Sequence, residues 1–162
     1  MNQKKIRYGV IGVGYLGKFH LKHLLDIKSV NVIGLYDSCE ERAKKIGTQY
    51  NVKQFDSLDK LLAETDAVSI VTPTIKHKDV ALKALKHNCN IFIEKPIADN
   101  IKSANIILDA VKKENKFANI GHIERFNPAF KQYMQNKHSP LFIECHRLSK
   151  FNERSMDISV VL

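Results

Sequence analysis

Short apolar runs alternate with amphipathic stretches from the N-terminus of this 162-residue chain, and that alternation constrains its fold more than any other feature. Apolar runs at residues 6–13, 30–36, 52–55, 67–71, 91–93 and 117–120 predict six strands. Between them, apolar residues recur at helical spacing. Leu16, Phe19, His20, His23 and Leu24 form one stripe; Val80, Ala81, Ala84 and Leu85 form a second; Ile101, Ala104, Leu108 and Val111 form a third. Two further helices are expected, one from an N-cap at Ser38 to about residue 46 and a small one over 57–63. Strands alternating with helices imply the α/β class, with a doubly wound and mostly parallel sheet.

The composition shifts after Gly121, so residues 1–121 are expected to form one domain and 122–162 the start of a second, α+β one. In the latter, Pro128 suits the first turn of a helix over 127–137, and 141–148 alternates apolar with polar as a half-covered strand does. The chain ends on an apolar run, 158–162.

An apolar fraction of 44% and a charged fraction of 27% are those of an ordinary globular protein. No run reaches the roughly 20 apolar residues of a membrane span, and Met1 to Lys5 lead straight into a strand without a signal-peptide core. A cytoplasmic protein without a membrane partner is expected. Cys39, Cys89 and Cys145 are far apart and odd in number, which predicts reduced structural thiols, with neither a disulfide framework nor a metal site. The net charge of +9 comes mostly from lysines scattered over every predicted helix. Without an arginine stripe or a basic run, that pattern reads as a solvated surface rather than a nucleic-acid groove, although it favours the approach of anionic ligands.

Gly12-x-Gly14-x-x-Gly17 lies between the first predicted strand and the first predicted helix. There the glycines serve a tight turn, close approach of backbone to a pyrophosphate, and close packing of helix on strand. With Tyr15 and Leu16 they form a loop whose helix points free N–H groups and a positive dipole end at phosphates. Asp37 closes the second strand twenty residues beyond Gly17, where a carboxylate accepts from both hydroxyls of an adenosine ribose and repels a 2′-phosphate. NAD is therefore expected over NADP, with dual use left open by nearby Arg42; Asp37 as a mere helix cap is the alternative. A methyltransferase using S-adenosylmethionine is the rival for such a loop. It leaves unexplained why Thr72-Pro73 and Glu94-Lys95-Pro96 also fall at strand ends, the ligand-binding edge of an open α/β sheet.

Glu94-Lys95-Pro96 after an apolar strand resembles the signature of the Gfo/Idh/MocA oxidoreductases. The glycine loop, Thr72-Pro73 with His77, and Gly121 to Pro128 match that family in the same order. The resemblance implies an NAD-binding Rossmann domain in which Thr72, Pro73, His77, Glu94 and Lys95 adjoin the cofactor. It further implies that Lys95 assists proton transfer beside the nicotinamide and that the Lys95–Pro96 bond is cis. A lysine in a partly desolvated cleft suits that role, its pKa lowered by burial. The family also implies chains roughly twice this length, with a second domain that covers the nicotinamide and carries the lysine's catalytic partner. This chain stops where that helix is expected to begin, so it reads as truncated and inactive alone. His20, His23, His87, His138 and His146 match no motif that replaces the partner and are expected to be surface or packing residues.

Within the family, 121–128 together with His146-Arg147-Leu148 and Phe151-Asn152 is similar to bacterial enzymes that oxidise the 3-hydroxyl of UDP-N-acetylglucosamine. Two functions follow as expectations: a dehydrogenase of a sugar, nucleotide sugar or polyol, or a non-catalytic NAD(H)-binding module. Arg125 and Asn127, at the domain junction, are the candidate substrate residues. A sheet cut after one strand exposes an edge and an apolar face, so a homo-oligomer is expected.

Overall fold

The computed structural model describes residues 4–135 together with 139, 141–144, 146 and 148. The backbone divides into two compact units, Met1–Gly121 and His122–Leu162. In the first, β1 (Ile6–Ile11), α1 (Gly17–Leu25), β2 (Val30–Tyr36) and α2 (Glu40–Tyr50) lead to α3 (Leu58–Glu64) and β3 (Ala67–Ile70). Then come α4 (Thr74–Lys86), β4 (Asn90–Ile93), α5 (Ile101–Lys113) and β5 (Ala118–Ile120). The strands form one parallel sheet in the order β2-β1-β3-β4-β5, the doubly wound arrangement that the alternation implies.

The strand expected at 52–55 is not one. It is reduced to a single parallel bridge between Leu35 and Gln54, carried by Leu35 N–H to Lys53 O and Phe55 N–H to Leu35 O, each 2.9 Å. The cause is local. Val52 N–H is tied back to Gly47 O at 2.9 Å, and Ser57 already caps α3 by accepting from Lys60 N–H at 3.3 Å. Too few residues remain between these anchors for a ladder. Placed beside β2, the segment still completes the order of a Rossmann sheet, which grows outward from the first strand in both directions. The reversal lies between β1 and β3, and ligands bind at the carboxyl ends of the strands flanking such a point.

Neighbouring strand residues face opposite sides, so the sheet has a core on each face. Val10 joins Val13, Leu21, Leu35, Ala43 and Ile46 beneath α1 and α2. Ile11 joins Leu61, Val68, Ile70, Leu85, Ile93 and Ile107 on the face of α3, α4 and α5. All four residues of β3 are buried, as a central parallel strand covered on both faces requires.

Two helices are turned relative to the stripes read from sequence. α1 buries Gly17 and Leu21, while Leu16, Phe19 and His23 are exposed. A Cβ on Gly17 would stand 1.8 Å from Gly12 O, so this residue must face the loop and the helix is oriented accordingly. α5 buries Ser103 and Ile107 and leaves Ile101 and Leu108 exposed. It carries apolar residues on more than one face, and packing against α4 selects among them. Nor is Ser38 an N-cap: α2 begins after Cys39, whose N–H is met by Asp37 Oδ1 at 2.9 Å.

The second unit holds a 3-10 turn (Ile123–Phe126) and α6 (Pro128–Gln135), neither with a buried residue. The strand expected over 141–148 is not formed among its described residues, because a strand needs a neighbour to take its backbone hydrogen bonds. His138, Cys145, Arg147, Phe151, Asn152 and the run 158–162 lie outside the described residues. Among the described residues no helix is long and apolar enough to cross a membrane.

Ile70 is fully buried in the central strand. Ile70→Ala is expected to lower the unfolding free energy in urea by about 2–5 kcal/mol through the cavity it leaves.

Candidate functional site

Gly12, Asp37, Thr72 and Glu94 each follow the end of a strand, and a chain of contacts joins them along the carboxyl edge of the sheet. Gly12 turns the backbone out of β1 with φ +84°, a left-handed conformation that β-carbon sterics disfavour, and donates to Tyr36 O at 2.8 Å. A side chain there would also meet Val71 O at 2.7 Å, so the loop lies directly on the end of β3. Gly14 differs, since a Cβ there meets nothing within 4 Å. Tyr15 and Leu16 stand half exposed at the loop tip. Lys18 N–H bonds back to Gly14 O at 3.2 Å, and Phe19 and His20 N–H to Leu16 O at 2.9 and 3.2 Å, so the first turn of α1 is closed onto the glycine loop.

Asp37 is buried, and four donors occupy its carboxylate. Val13 N–H (2.8 Å) and Arg42 Nε (3.0 Å) reach Oδ2; Cys39 N–H (2.9 Å) and the second Arg42 contact (3.1 Å) reach Oδ1. Burial alone would raise the Asp37 carboxyl, but the hydrogen bonds from Arg42, Cys39 and Val13 outweigh it and hold the group below the ordinary carboxylate range. Asp37 therefore does more than cap a helix: it ties the glycine loop to the end of β2. Arg42 is the exposed member of the set.

Thr72 follows β3, and its Oγ1 is a buried polar atom without a hydrogen-bond partner among the described residues. Pro73 is the N-cap of α4. His77 is 1% exposed, and its ring nitrogens lie 3.0 Å from Pro96 O and 2.9 Å from Thr72 O. The buried ring lies between the Thr72 and Pro96 carbonyls, donates to one of them through whichever nitrogen carries the proton, and turns both nitrogens toward the protein.

Lys95 is exposed, and the Lys95–Pro96 bond is cis. Glu94 turns its carboxylate back into the protein, accepting from His20 Nε2 at 2.9 Å and from Lys95 N–H at 3.1 Å. The His20 hydrogen bond first, and the Lys95 N–H with it, hold the Glu94 carboxyl below its usual range against the effect of burial. His20 is therefore no surface histidine, and sequence reasoning missed it. The available signal was its position one helical turn after Gly17, on the face that Gly17 turns inward.

In the second unit, Asn127 Nδ2 donates to Glu124 Oε2 at 2.8 Å, and its Oδ1 accepts from Ala129 N–H at 3.0 Å, which commits the side chain to the start of α6. Arg125 lines a shallow cavity with Phe130, Lys131, Met134 and Gln135.

Residues 6–122 match the family model described as the oxidoreductase family with an NAD-binding Rossmann fold, Gfo/Idh/MocA. The chain belongs to this family. Its UDP-N-acetylglucosamine 3-dehydrogenase from Acidithiobacillus ferrooxidans is 38% identical over 159 residues, 97% of this chain and 50% of that protein. The solved structure of that enzyme superposes with a TM-score of 0.77 over 81% of this chain and 43% of its own. A Bacillus subtilis scyllo-inositol 2-dehydrogenase (NAD+) is 28% identical over 79% of this chain and 39% of its own length. GenD2 from gentamicin A biosynthesis, solved in complex with NAD, shares the fold at a TM-score of 0.78 and 21% identity. This chain thus spans about half the length of the curated relatives it matches. Family membership sets aside the methyltransferase reading.

The residues fit a dinucleotide. Open space above Gly14, a Thr72 Oγ1 without a hydrogen-bond partner among the described residues, and a carboxylate at the end of β2 are features that suit it.

Asp37 is held ionised, so the stability it contributes is present above its unfolded value of about 3.9 and lost as pH falls through its lower folded value. In urea titrations at a series of pH values, Asp37→Asn is expected to be less stable than the parent at neutral pH and to lose less stability on acidification.

Proposed function

We propose that this chain is the NAD(H)-binding part of a cytoplasmic dehydrogenase acting on a sugar, nucleotide sugar or polyol. The observation that supports it best is the joining of the glycine loop, Asp37 and the Lys95 turn along one sheet edge by direct hydrogen bonds. Gly12, Gly14, Tyr15, Leu16 and Gly17 would bind the pyrophosphate, Asp37 the adenosine ribose, and Thr72 and Pro73 the nicotinamide half. His77 and Glu94 would act by holding the turns between which the cofactor lies.

The nicotinamide ring, when bound, accepts the hydride. The protein's task is to orient the ring and to move a proton. Lys95, exposed at this edge, is the group that would take the proton of the substrate hydroxyl as its carbon is oxidised, or return it in the reverse direction. Arg125 and Asn127 are proposed to face substrate. Asn127's bonds to Glu124 and Ala129 suit it to fixing this segment, while Arg125 carries the charge that suits an anionic group. The match to the 3-dehydrogenase over 97% of the chain supports a nucleotide sugar as substrate class. In this reading, the 162-residue chain binds cofactor without turnover, since it covers half of that relative.

Calorimetric titration with NADH and NADPH tests this. NADH is expected to bind more tightly, and Asp37→Ala to weaken NADH by about 1.5–3 kcal/mol while narrowing or reversing the preference. Gly14→Ala is expected to keep stability within about 0.5 kcal/mol yet to lose NADH, because its methyl fills only the space proposed for the pyrophosphate. Tight binding of NADPH alone would reverse the Asp37 assignment.

Self-association is also proposed. Among the described residues β5 is an edge of the sheet, Phe117 beside it is 80% exposed, and in the second unit Ile123 and Phe126 are exposed as well. Light scattering at high concentration is expected to show dimers or larger species, and a monodisperse monomer would count against it.

A further inference from the structure

If Lys95 works beside the nicotinamide, as proposed, something must hold it there, and the contacts that do so come from its neighbours. Glu94 N–H is bonded to Ile70 O at 3.0 Å, which fixes the end of β4 against β3. The Glu94 side chain then folds back, and one of its oxygens takes Lys95 N–H while the other takes His20 Nε2. On the far side of Lys95, Pro96 O is met by His77. Lys95 thus sits between two residues that each contact a histidine. His20 lies one turn into the helix that starts at the glycine loop; His77 lies in the first turn of the helix that starts at Thr72-Pro73.

The seat of Glu94 is built by several elements. Its side chain and that of His20 are 13% and 18% exposed. Phe92 of β4 packs edge-on against the His20 ring with centroids 5.4 Å apart. At the end of β5, Gly121 leaves room for the carboxylate, for a Cβ there would stand 2.8 Å from Glu94 Oε2. Surface ion pairs between long, mobile side chains order little. The His20–Glu94 hydrogen bond is short, largely enclosed and reaches the backbone of Lys95 through a single residue.

We infer that His20 is a positioning residue: through Glu94 it locks the Lys95 backbone to the helix that follows the glycine loop, so one element places both the pyrophosphate and the reactive amine. The hydrogen bonds that hold Gly12 and the Asp37 carboxylate do not involve the His20 ring. What removing that ring changes is the direction in which Lys95 points relative to a bound nicotinamide.

The test is an NMR measurement on the 162-residue chain with bound NADH, reading nuclear Overhauser contacts between the nicotinamide ring protons and the Lys95 ε-methylene. A Lys95→Arg variant assigns the signal. The contact is expected in the parent and lost in His20→Ala, while the calorimetric Kd for NADH changes by no more than about threefold. His20→Gln, whose amide N–H reaches toward the same carboxylate, is expected to restore part of it. Gly121→Ala keeps His20 but displaces the Glu94 carboxylate, and is expected to behave as His20→Ala does. Should His20→Ala not fold, His20→Gln against Gly121→Ala gives the same comparison. An unchanged contact in His20→Ala and Gly121→Ala overturns the positioning role, as does loss of the contact together with a tenfold or larger loss of NADH affinity. Absence of the contact in the NADH-bound parent overturns the assignment of Lys95 itself, and the positioning role with it.

Discussion

The architecture of this edge rests on one close approach: the α-carbon of Gly17 against the carbonyl of Gly12. No side chain fits between them, since a Cβ would stand 1.8 Å from that oxygen. The start of α1 is thereby pressed onto the loop leaving β1, which aims the helix's first-turn amides across the strand ends. The same contact fixes the rotation of the helix. With Gly17 and Leu21 turned inward, His20 is carried to Glu94, while Leu16, Phe19 and His23 face solvent.

Electrostatics then stitch the strand ends together. Asp37 and Glu94 close the ends of β2 and β4, with β1 and β3 between them, and hydrogen-bond donors hold each carboxyl below its ordinary range. Both are enclosed enough that their hydrogen bonds are worth more than those of the exposed lysine pairs elsewhere on the surface, such as Lys60 with Asp56. Asp37 joins β2 to the glycine loop; Glu94 joins β4 to α1; His77 joins the turns after β3 and β4. A sheet edge whose turns are bonded to each other is pre-organised, and pre-organisation lowers the cost of binding a long, flexible ligand such as a dinucleotide.

The second unit presents the opposite case. Neither its 3-10 turn nor α6 buries a residue, and Leu141, Phe142 and Ile143 are exposed. An apolar pattern specifies a strand only where a partner accepts its hydrogen bonds, and among the described residues none does. The same reason explains the segment around Gln54. Its composition is that of a strand, yet anchors on both sides leave it a single bridge.

What the residues alone determined is whatever depends on local chemistry and periodicity. The α/β alternation, the parallel sheet, the glycine loop, Asp37 at a strand end and the Lys95 turn were all legible, because backbone sterics and side-chain period act within a few residues. The tertiary structure decided which of several apolar stripes faces inward on α1 and α5, that Arg42 already occupies the Asp37 carboxylate, and that His77 turns both nitrogens toward the protein. It also decided that His20, separated by 74 positions from Glu94, is its partner. These facts depend on where two distant segments meet. A hydrogen bond forms only within about 3 Å, a distance that sequence separation does not report and that the packing of helix on sheet sets.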